Sequence, residues 1–263
     1  MPLIALLSDY GLGDHYVGVV KSVILGICPE VVFIDITHEL APYDVKDGAY
    51  VLLQASKYLP RGCDVLAVVD PGVNTDRRAI AVKTKERLYV GPDNGLLYPA
   101  ASREGILAVY DVGRGAQLLS EKGTFAGRDV FAPTIACAAK GMQLGRLGKE
   151  VDGMAVLEFP GARYSPDAIT GEVLHLDRFG NAVTNIEGEG FHAWRKGEAE
   201  FELLSGERAA RVRLASSYQE IDGTGIIVGS GGALEVSRRE GGPGFVLKRG
   251  DGFSLELVSK PRR

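Results

Sequence analysis

Two carboxylates, Asp9 and Asp14, share a short loop with two glycines in Ser8-Asp9-Tyr10-Gly11-Leu12-Gly13-Asp14, directly after the apolar run LIALL. A dinucleotide loop places its glycines first and leaves a helix N-terminus open to phosphate. Carboxylates at that place repel phosphate and suit hydroxyls or an ammonium group. Asp9 can accept both hydroxyls of a ribose, and Asp14 can pair with an α-amino group. Asp14 can equally cap the helix that follows.

A second candidate is Val68-Val69-Asp70-Pro71-Gly72-Val73-Asn74-Thr75-Asp76-Arg77-Arg78. Asp70 ends an apolar run, Pro71-Gly72 turns the chain, and Arg77 stands just before the next run. A return of that length brings Asp70 and Arg77 side by side, and the guanidinium keeps the carboxylate ionised. Such a pair either ties the loop together or forms the charged part of a site. Three further clusters stand out: Gly91-Pro92-Asp93-Asn94-Gly95, Phe125-Ala126-Gly127-Arg128-Asp129 and Asp177-Arg178-Phe179-Gly180-Asn181. Singly they read as a tight turn, a helix start with an acidic residue facing the dipole, and a hairpin. The set as a whole exceeds what turns and caps explain.

The elements that must hold these residues follow from the hydrophobic pattern. LIALLS, VVFIDI, DVLAVVD, AIAVK, RLYV and ILAVY are short apolar runs, each ended by Gly, Pro or a polar residue, as in strands covered on both faces. Between them, HYVGVVKSVILGIC and VKDGAYVLLQASKYL carry apolar residues at helical spacing, and RDVFAPTIACAAKGM predicts one more helix, entered at Gly127 and stopped at Gly141. The alternation predicts an α/β fold with a mostly parallel sheet over residues 1–160. Near Pro160, Gly161 and Pro166 the texture changes. GEVLHLD, AVTNI, EFELL, ARVRLA, GIIVGS, GALEVSR, GFVLK and FSLELV then predict a smaller antiparallel β-barrel-like domain over 168–263.

The 263 residues are 45% hydrophobic and 24% charged, enough to build a sizeable core. A net charge of −4 gives no basic footprint for nucleic acid. Cys28, Cys63 and Cys137 are odd in number and fit a reduced interior, which implies a cytoplasmic setting. Without a Cys-x-x-Cys pair, and with His15, His38, His175 and His192 scattered, no metal site is expected. The N-terminal segment has neither a basic start nor an apolar span of about 18 residues, so no membrane partner is expected.

Taken in order, Ser8-Asp9-Tyr10-Gly11, Asp35-Ile36-Thr37-His38, Ala41-Pro42-Tyr43-Asp44-Val45, Val69-Asp70-Pro71-Gly72-Val73, Gly91-Pro92-Asp93-Asn94-Gly95, Gly127-Arg128-Asp129-Val130-Phe131-Ala132-Pro133, Asp177-Arg178-Phe179-Gly180-Asn181 and Leu234-Glu235-Val236 resemble the SAM hydroxide adenosyltransferase family, relatives of the fluorinases and chlorinases. The motifs span nearly the whole chain. The resemblance implies a homotrimer that hydrolyses S-adenosylmethionine (SAM) to adenosine and methionine. Each site would lie between the N-terminal domain of one subunit and the C-terminal domain of its neighbour. SAM is then substrate, and no cofactor is implied.

By position in the motifs, Asp9 holds the ribose hydroxyls, Asp14 the methionine amine, and Tyr43 lies against the ribose. Val73 and Gly127 also line the substrate. Phe179 and Asn181 face adenine, while Asp177 and Ser230 meet the methionine end. Halogenases of the family carry an arginine after that serine, where this chain has Gly231. They also carry an uncharged or aromatic residue beside the halide, where this chain has Asp70. The hydrolases orient their water with Asp, Arg and His. Asp70 and Arg77 match the first two, but Ala126 stands where the family has the histidine. The resemblance therefore implies a slowed hydrolase. A weakly catalytic SAM- or adenosine-binding module, and a halogenase-like enzyme using another nucleophile, remain open.

Overall fold

A computed structural model describes residues 1–73, 75–113, 124–238 and 245–258. The chain divides into two compact units, Met1–Glu158 and Phe159–Arg263.

The first unit runs β1 (Leu3–Ser8), α1 (Tyr16–Ile27), β2 (Val32–Thr37), α2 (Val45–Ser56), β3 (Cys63–Val68), β4 (Ala79–Thr84), β5 (Leu88–Pro92), α3 (Tyr98–Glu104) and β6 (Ile106–Asp111). A π-helical turn (Gly127–Phe131), α4 (Ala132–Ala139), the single turn α5 (Leu144–Leu147) and β7 (Lys149–Val151) complete it. The seven strands form one sheet in the order β2-β1-β3-β5-β4-β6-β7. The first three pairings are parallel, and the rest are antiparallel because β4 and β5 form a hairpin. The sheet is thus mixed, parallel where α1 and α2 supply the crossovers.

Alternate residues of the central strands face two different layers. Leu6, Leu66, Val68 and Val90 pack with Val20 and Ile24 of α1 and Ile135 and Ala136 of α4. On the opposite face Ala5, Leu7, Val65 and Ala67 are equally buried. The apolar, alternation-free sequence of β1 and β3 has its cause in this double cover. The chain leaves β1 for β2 on one side and returns past it to β3. Right-handed connections then put α1 and α2 on opposite faces. Ser8 pairs in register with Val68, so both strands release their next residues at one sheet edge, where ligands collect in such folds.

The second unit contains β8 (Arg163–Tyr164), β9 (Ala168–Leu176), β10 (Ala182–Glu187), α6 (Gly188–Trp194), β11 (Glu200–Ser205), β12 (Arg208–Arg213), β13 (Thr224–Val228), β14 (Ala233–Arg238) and β15 (Gly252–Leu257). The order β12-β11-β15-β9-β10-β14-β13 is antiparallel throughout, with β8 added beside β9. A bridge between Leu214, just past β12, and Ile226 in β13 brings the outer strands together into a nearly closed barrel. Its interior is Ile169, Val173, Ile186, Phe201, Leu203, Leu234, Phe253 and Leu255, with Phe191 and Trp194 of α6 among them.

One strand expected from the pattern does not form. Gly244 of the GFVLK run lies outside the described residues, and Phe245–Lys248 are not in a strand. The Phe245 amide donates to Thr224 Oγ1 and the Lys248 amide to Asp251 Oδ2, so side chains take the place of a neighbouring strand. Leu247 still enters the core, which explains the apolar signal. No helix is long and apolar enough to cross a membrane among the described residues.

Candidate active site

At the shared edge of β1 and β3 a cleft of about 390 Å³ opens, lined by Asp9, Tyr10, Tyr16, Pro42, Tyr43, Val68, Asp70, Val73 and the segment 124–127. Of the residues singled out in the N-terminal unit, Asp9, Tyr43, Asp70, Val73, Ala126 and Gly127 line it. Asp14 is exposed and does not, and Arg77 stands behind Asp70. Asp14 does not cap α1 either, since that helix begins after His15 without a side-chain cap.

The Asp70–Arg77 pair is bidentate. Arg77 Nε donates to Oδ1 at 2.8 Å and the terminal guanidinium nitrogen donates to Oδ2. The side chains are 7% and 14% exposed. Arg77 also lies over the Phe131 ring, its guanidinium carbon 5.3 Å from the centroid. Asn94 Nδ2 donates to the Val69 carbonyl at 2.9 Å, and Asp93 pairs with Arg78 and accepts the Ala155 amide. The Gly91–Gly95 motif is thereby a brace for the residues around Asp70.

Asp9 is held from the opposite wall. Tyr43, with φ of +66°, donates its amide to Asp9 Oδ2 at 2.8 Å. Behind β1, Ser8 Oγ is 2.7 Å from His38 Nδ1, and His38 Nε2 is 3.2 Å from Asp35, which also binds Lys21. A carboxylate only accepts, so Nε2 donates to Asp35, while Nδ1 shares a hydrogen bond with the serine hydroxyl. Burial raises the Asp35 carboxyl, but Lys21 and His38 outweigh it and leave it below the usual range. The Asp35-Ile36-Thr37-His38 motif thus anchors the start of the Asp9 loop.

The far wall is the start of the π-helical turn. Tyr10, Tyr16 and Phe125 form an aromatic group with ring centroids 5.3 to 6.0 Å apart. A Cβ on Gly127 would overlap the Tyr10 hydroxyl, so only glycine lets the phenol approach the backbone this closely. Arg128 pairs with Asp129, its sequence neighbour.

The second unit has its own cleft of about 650 Å³, lined by Asp177, Arg178, Phe179, Asn181, Tyr218, Ile221, Ser230, Glu235, Ser237 and Arg238. All four residues singled out in this unit line it. Phe179 stands 85% exposed at the β9–β10 turn. Asp177 shapes that turn: Oδ1 accepts the amides of Phe179 and Asn181, and Oδ2 accepts Asn181 Nδ2 at 2.7 Å. Both of its carboxylate oxygens are therefore engaged in forming the turn.

Tyr10, Tyr218, Glu235 and Ser237 were not singled out as site residues. Glu235 is 8% exposed and accepts the Tyr218 hydroxyl at 2.8 Å. Burial, with the Asp177 charge, keeps its carboxyl above the usual range despite Tyr218 and His175. The Tyr218 phenol is pushed up to about 12 by burial and by the Glu235 and Asp177 charges. Ser237, 2% exposed, has a hydroxyl without a partner among the described residues. The available signal was a charged residue between Leu234 and Val236, both in the barrel core, which puts Glu235 on the other face of β14. Carboxylates thus line each cleft: Asp9 and Asp70 the first, Asp177 and Glu235 the second. Among the described residues no three metal-ligating side chains are grouped to hold an ion.

Comparison with known proteins identifies the family. Family models described as SAM hydroxide adenosyltransferase N-terminal and C-terminal domains match residues 4–148 and 171–245. An (R)-S-adenosyl-L-methionine hydrolase of Thermus thermophilus is 38% identical over 262 residues, covering 96% of this chain and 98% of the relative. One of Salinispora tropica is 43% identical over 191 residues, 71% of this chain and 73% of its own. A fluorinase of an Actinoplanes species is 28% identical over 215 residues, covering 70% and 72%. A solved structure of an uncharacterized conserved protein from Thermotoga maritima superposes with a TM-score of 0.86 at 32% identity, covering 97% of this chain and all of that one.

Proposed function

The chain belongs to the SAM hydroxide adenosyltransferase family, and from that premise we propose that it hydrolyses SAM to adenosine and methionine with a water oriented by Asp70. The bidentate Asp70–Arg77 pair at the cleft wall carries this reading.

The reaction is an in-line displacement. A water oxygen forms a bond to the ribose 5′ carbon while the carbon–sulfur bond breaks, and its electron pair returns to sulfur. The leaving group departs as a neutral thioether, so no general acid is required. The water loses one proton to solvent or to Asp70. The task of the protein is to hold the water opposite sulfur in a near-attack geometry. The guanidinium fork engages both carboxylate oxygens and fixes their direction, so Asp70 orients the water. Asp9 accepts the ribose hydroxyls, Tyr43 covers the sugar, and Val73 and Gly127 complete that wall. Phe179 and Asn181 receive adenine. Asp177 and Ser230, with Asp14, serve the methionine end. The complete site forms in a homotrimer, one subunit giving the first cleft and its neighbour the second.

Ala126 removes one group from the water's surroundings. Loss of a positioning or proton-transfer group costs roughly 10²–10⁴-fold in rate, so slow turnover is expected. The test is adenosine release from SAM by this protein and by Ala126→His. Several relatives are named for the (R) compound, so both sulfonium epimers are assayed. Reversion should raise kcat at least tenfold; an unchanged rate refutes the role given to position 126. That same alanine favours a second reading, a SAM- or adenosine-binding module. Prolonged incubation separates them: catalysis releases many equivalents of adenosine, whereas a binding module stops at one or none. Production of a halogenated nucleoside with added chloride would favour the halogenase-like alternative, against which the carboxylate at position 70 stands.

A further inference from the structure

The Tyr10 phenol has no function in the reading above, yet it faces the same cleft as Asp70 and Ala126. It follows Asp9 directly, and Asp9 is fixed by the Tyr43 amide, so the backbone around Tyr10 is held in place. Its ring is fixed edge-on against Phe125, with centroids 5.5 Å apart. Its hydroxyl lies over the Cα of Gly127, next to Ala126. That hydroxyl makes no hydrogen bond among the described residues, although the ring around it is largely packed. A phenol fixed by packing in the lining of a charged cleft, with no hydrogen-bond partner for its hydroxyl among the described residues, is poised for something the cleft admits.

We propose that the Tyr10 hydroxyl contacts the attacking water beside Asp70, supplying part of the positioning that an alanine at position 126 cannot give. This rests on the hydrolase reading. Asp70 accepts one hydrogen of the water, the phenol offers its own hydrogen to a lone pair of the same oxygen, and the remaining lone pair points at the 5′ carbon. No proton changes hands with the phenol. Burial and the nearby Asp9 and Asp70 carboxylates push its ionisation far above the usual range, so it stays a donor throughout. A donor lowers the nucleophilicity of the water slightly, but fixing its direction is the larger effect where Asp70 alone would otherwise hold it. The absence of a Cβ at Gly127 serves the same end, because any larger residue would displace the hydroxyl.

Four proteins test this: the natural chain, Tyr10→Phe, Ala126→His and the double variant, each assayed for kcat, KM and thermal midpoint, with Asp70→Asn as reference. Tyr10→Phe should lower kcat about tenfold or more, roughly the value of one hydrogen bond in the transition state, with KM within about twofold. Its thermal midpoint should not fall, because an unpartnered hydroxyl contributes nothing to folding. In the Ala126→His background the same change should cost less than about threefold, since the histidine takes over the contact. An unchanged kcat in Tyr10→Phe overturns the proposal while leaving the hydrolase reading intact, provided Asp70→Asn is inactive. A rise in KM alone, or an equal loss in both backgrounds, also overturns it. If neither the natural chain nor Ala126→His releases adenosine, the reaction itself is wrong and the phenol's role falls with it.

Discussion

At the scale of single residues, Asp70 and Arg77 form an ion pair whose two halves cannot be removed independently. Both are largely buried, and a buried charge left alone costs about 3–5 kcal/mol. Arg77→Met should therefore destabilise the protein by that order, whereas Asp70→Asn combined with Arg77→Met should recover much of the loss, and both should be inactive. Thermal or urea unfolding of the two variants checks the first part, adenosine release the second. Arg77→Lys should also lose activity, because a point charge cannot reproduce the fork that fixes both carboxylate oxygens. The pair was legible in the sequence because a turn of Pro71-Gly72 brings residues a few positions apart into contact. Tyr10 was not. An aromatic residue in a glycine-rich loop reads as packing, and only coordinates reveal that its hydroxyl has no hydrogen-bond partner among the described residues.

Among the elements, the strands of the sheet were legible wherever they were covered on both faces, since burial alone wrote the pattern. The pairing direction was less so: a hairpin of β4 and β5 and a crossover leave similar apolar runs, and half of the sheet turned out antiparallel. The GFVLK run misled because Leu247 enters the barrel core from a loop. In β14 the same alternation that buries Leu234 and Val236 presents Glu235 and Ser237 to the second cleft. Glu235 has a consequence for stability. A carboxyl held above its ordinary value in the folded state binds a proton more readily there than in the unfolded chain, so its contribution favours folding at low pH and is lost as pH rises through the folded value. Glu235→Gln should therefore be more stable than the natural chain at neutral pH. The two should converge below about pH 4.3, the unperturbed value for a glutamate. Denaturant midpoints measured from pH 3 to 8 give the comparison; a variant less stable than the natural chain at pH 7 would contradict it.

The whole molecule presents two clefts, one on each unit. The first carries the Asp70–Arg77 pair and Asp9, the second the exposed Phe179 ring and the Asn181 amide. If the site is completed across subunits, two inactive variants should repair each other. Asp70→Asn spoils only the first cleft, and Phe179→Ala combined with Asn181→Ala spoils only the second. Mixed assemblies formed by co-expression should regain part of the natural rate, whereas separately purified variants that do not exchange should stay inactive. No recovery in verified mixed assemblies would place both clefts of one site on a single chain. How subunits share a ligand could be reached from the sequence only through its likeness to a family, because spacing and hydrophobic pattern describe one chain at a time.

The left-handed backbone at Tyr43 separates two duties at one position. The main chain of this residue steadies Asp9, while its ring, exposed on the cleft wall, is available for contact with a guest. Exchanging the ring therefore leaves the Asp9 carboxylate in place, and position 43 becomes a natural point for altering this wall of the cleft. Glycine there would relieve a backbone cost of about 1–2 kcal/mol, and valine or isoleucine, stiff at the branch, are the replacements the loop would refuse.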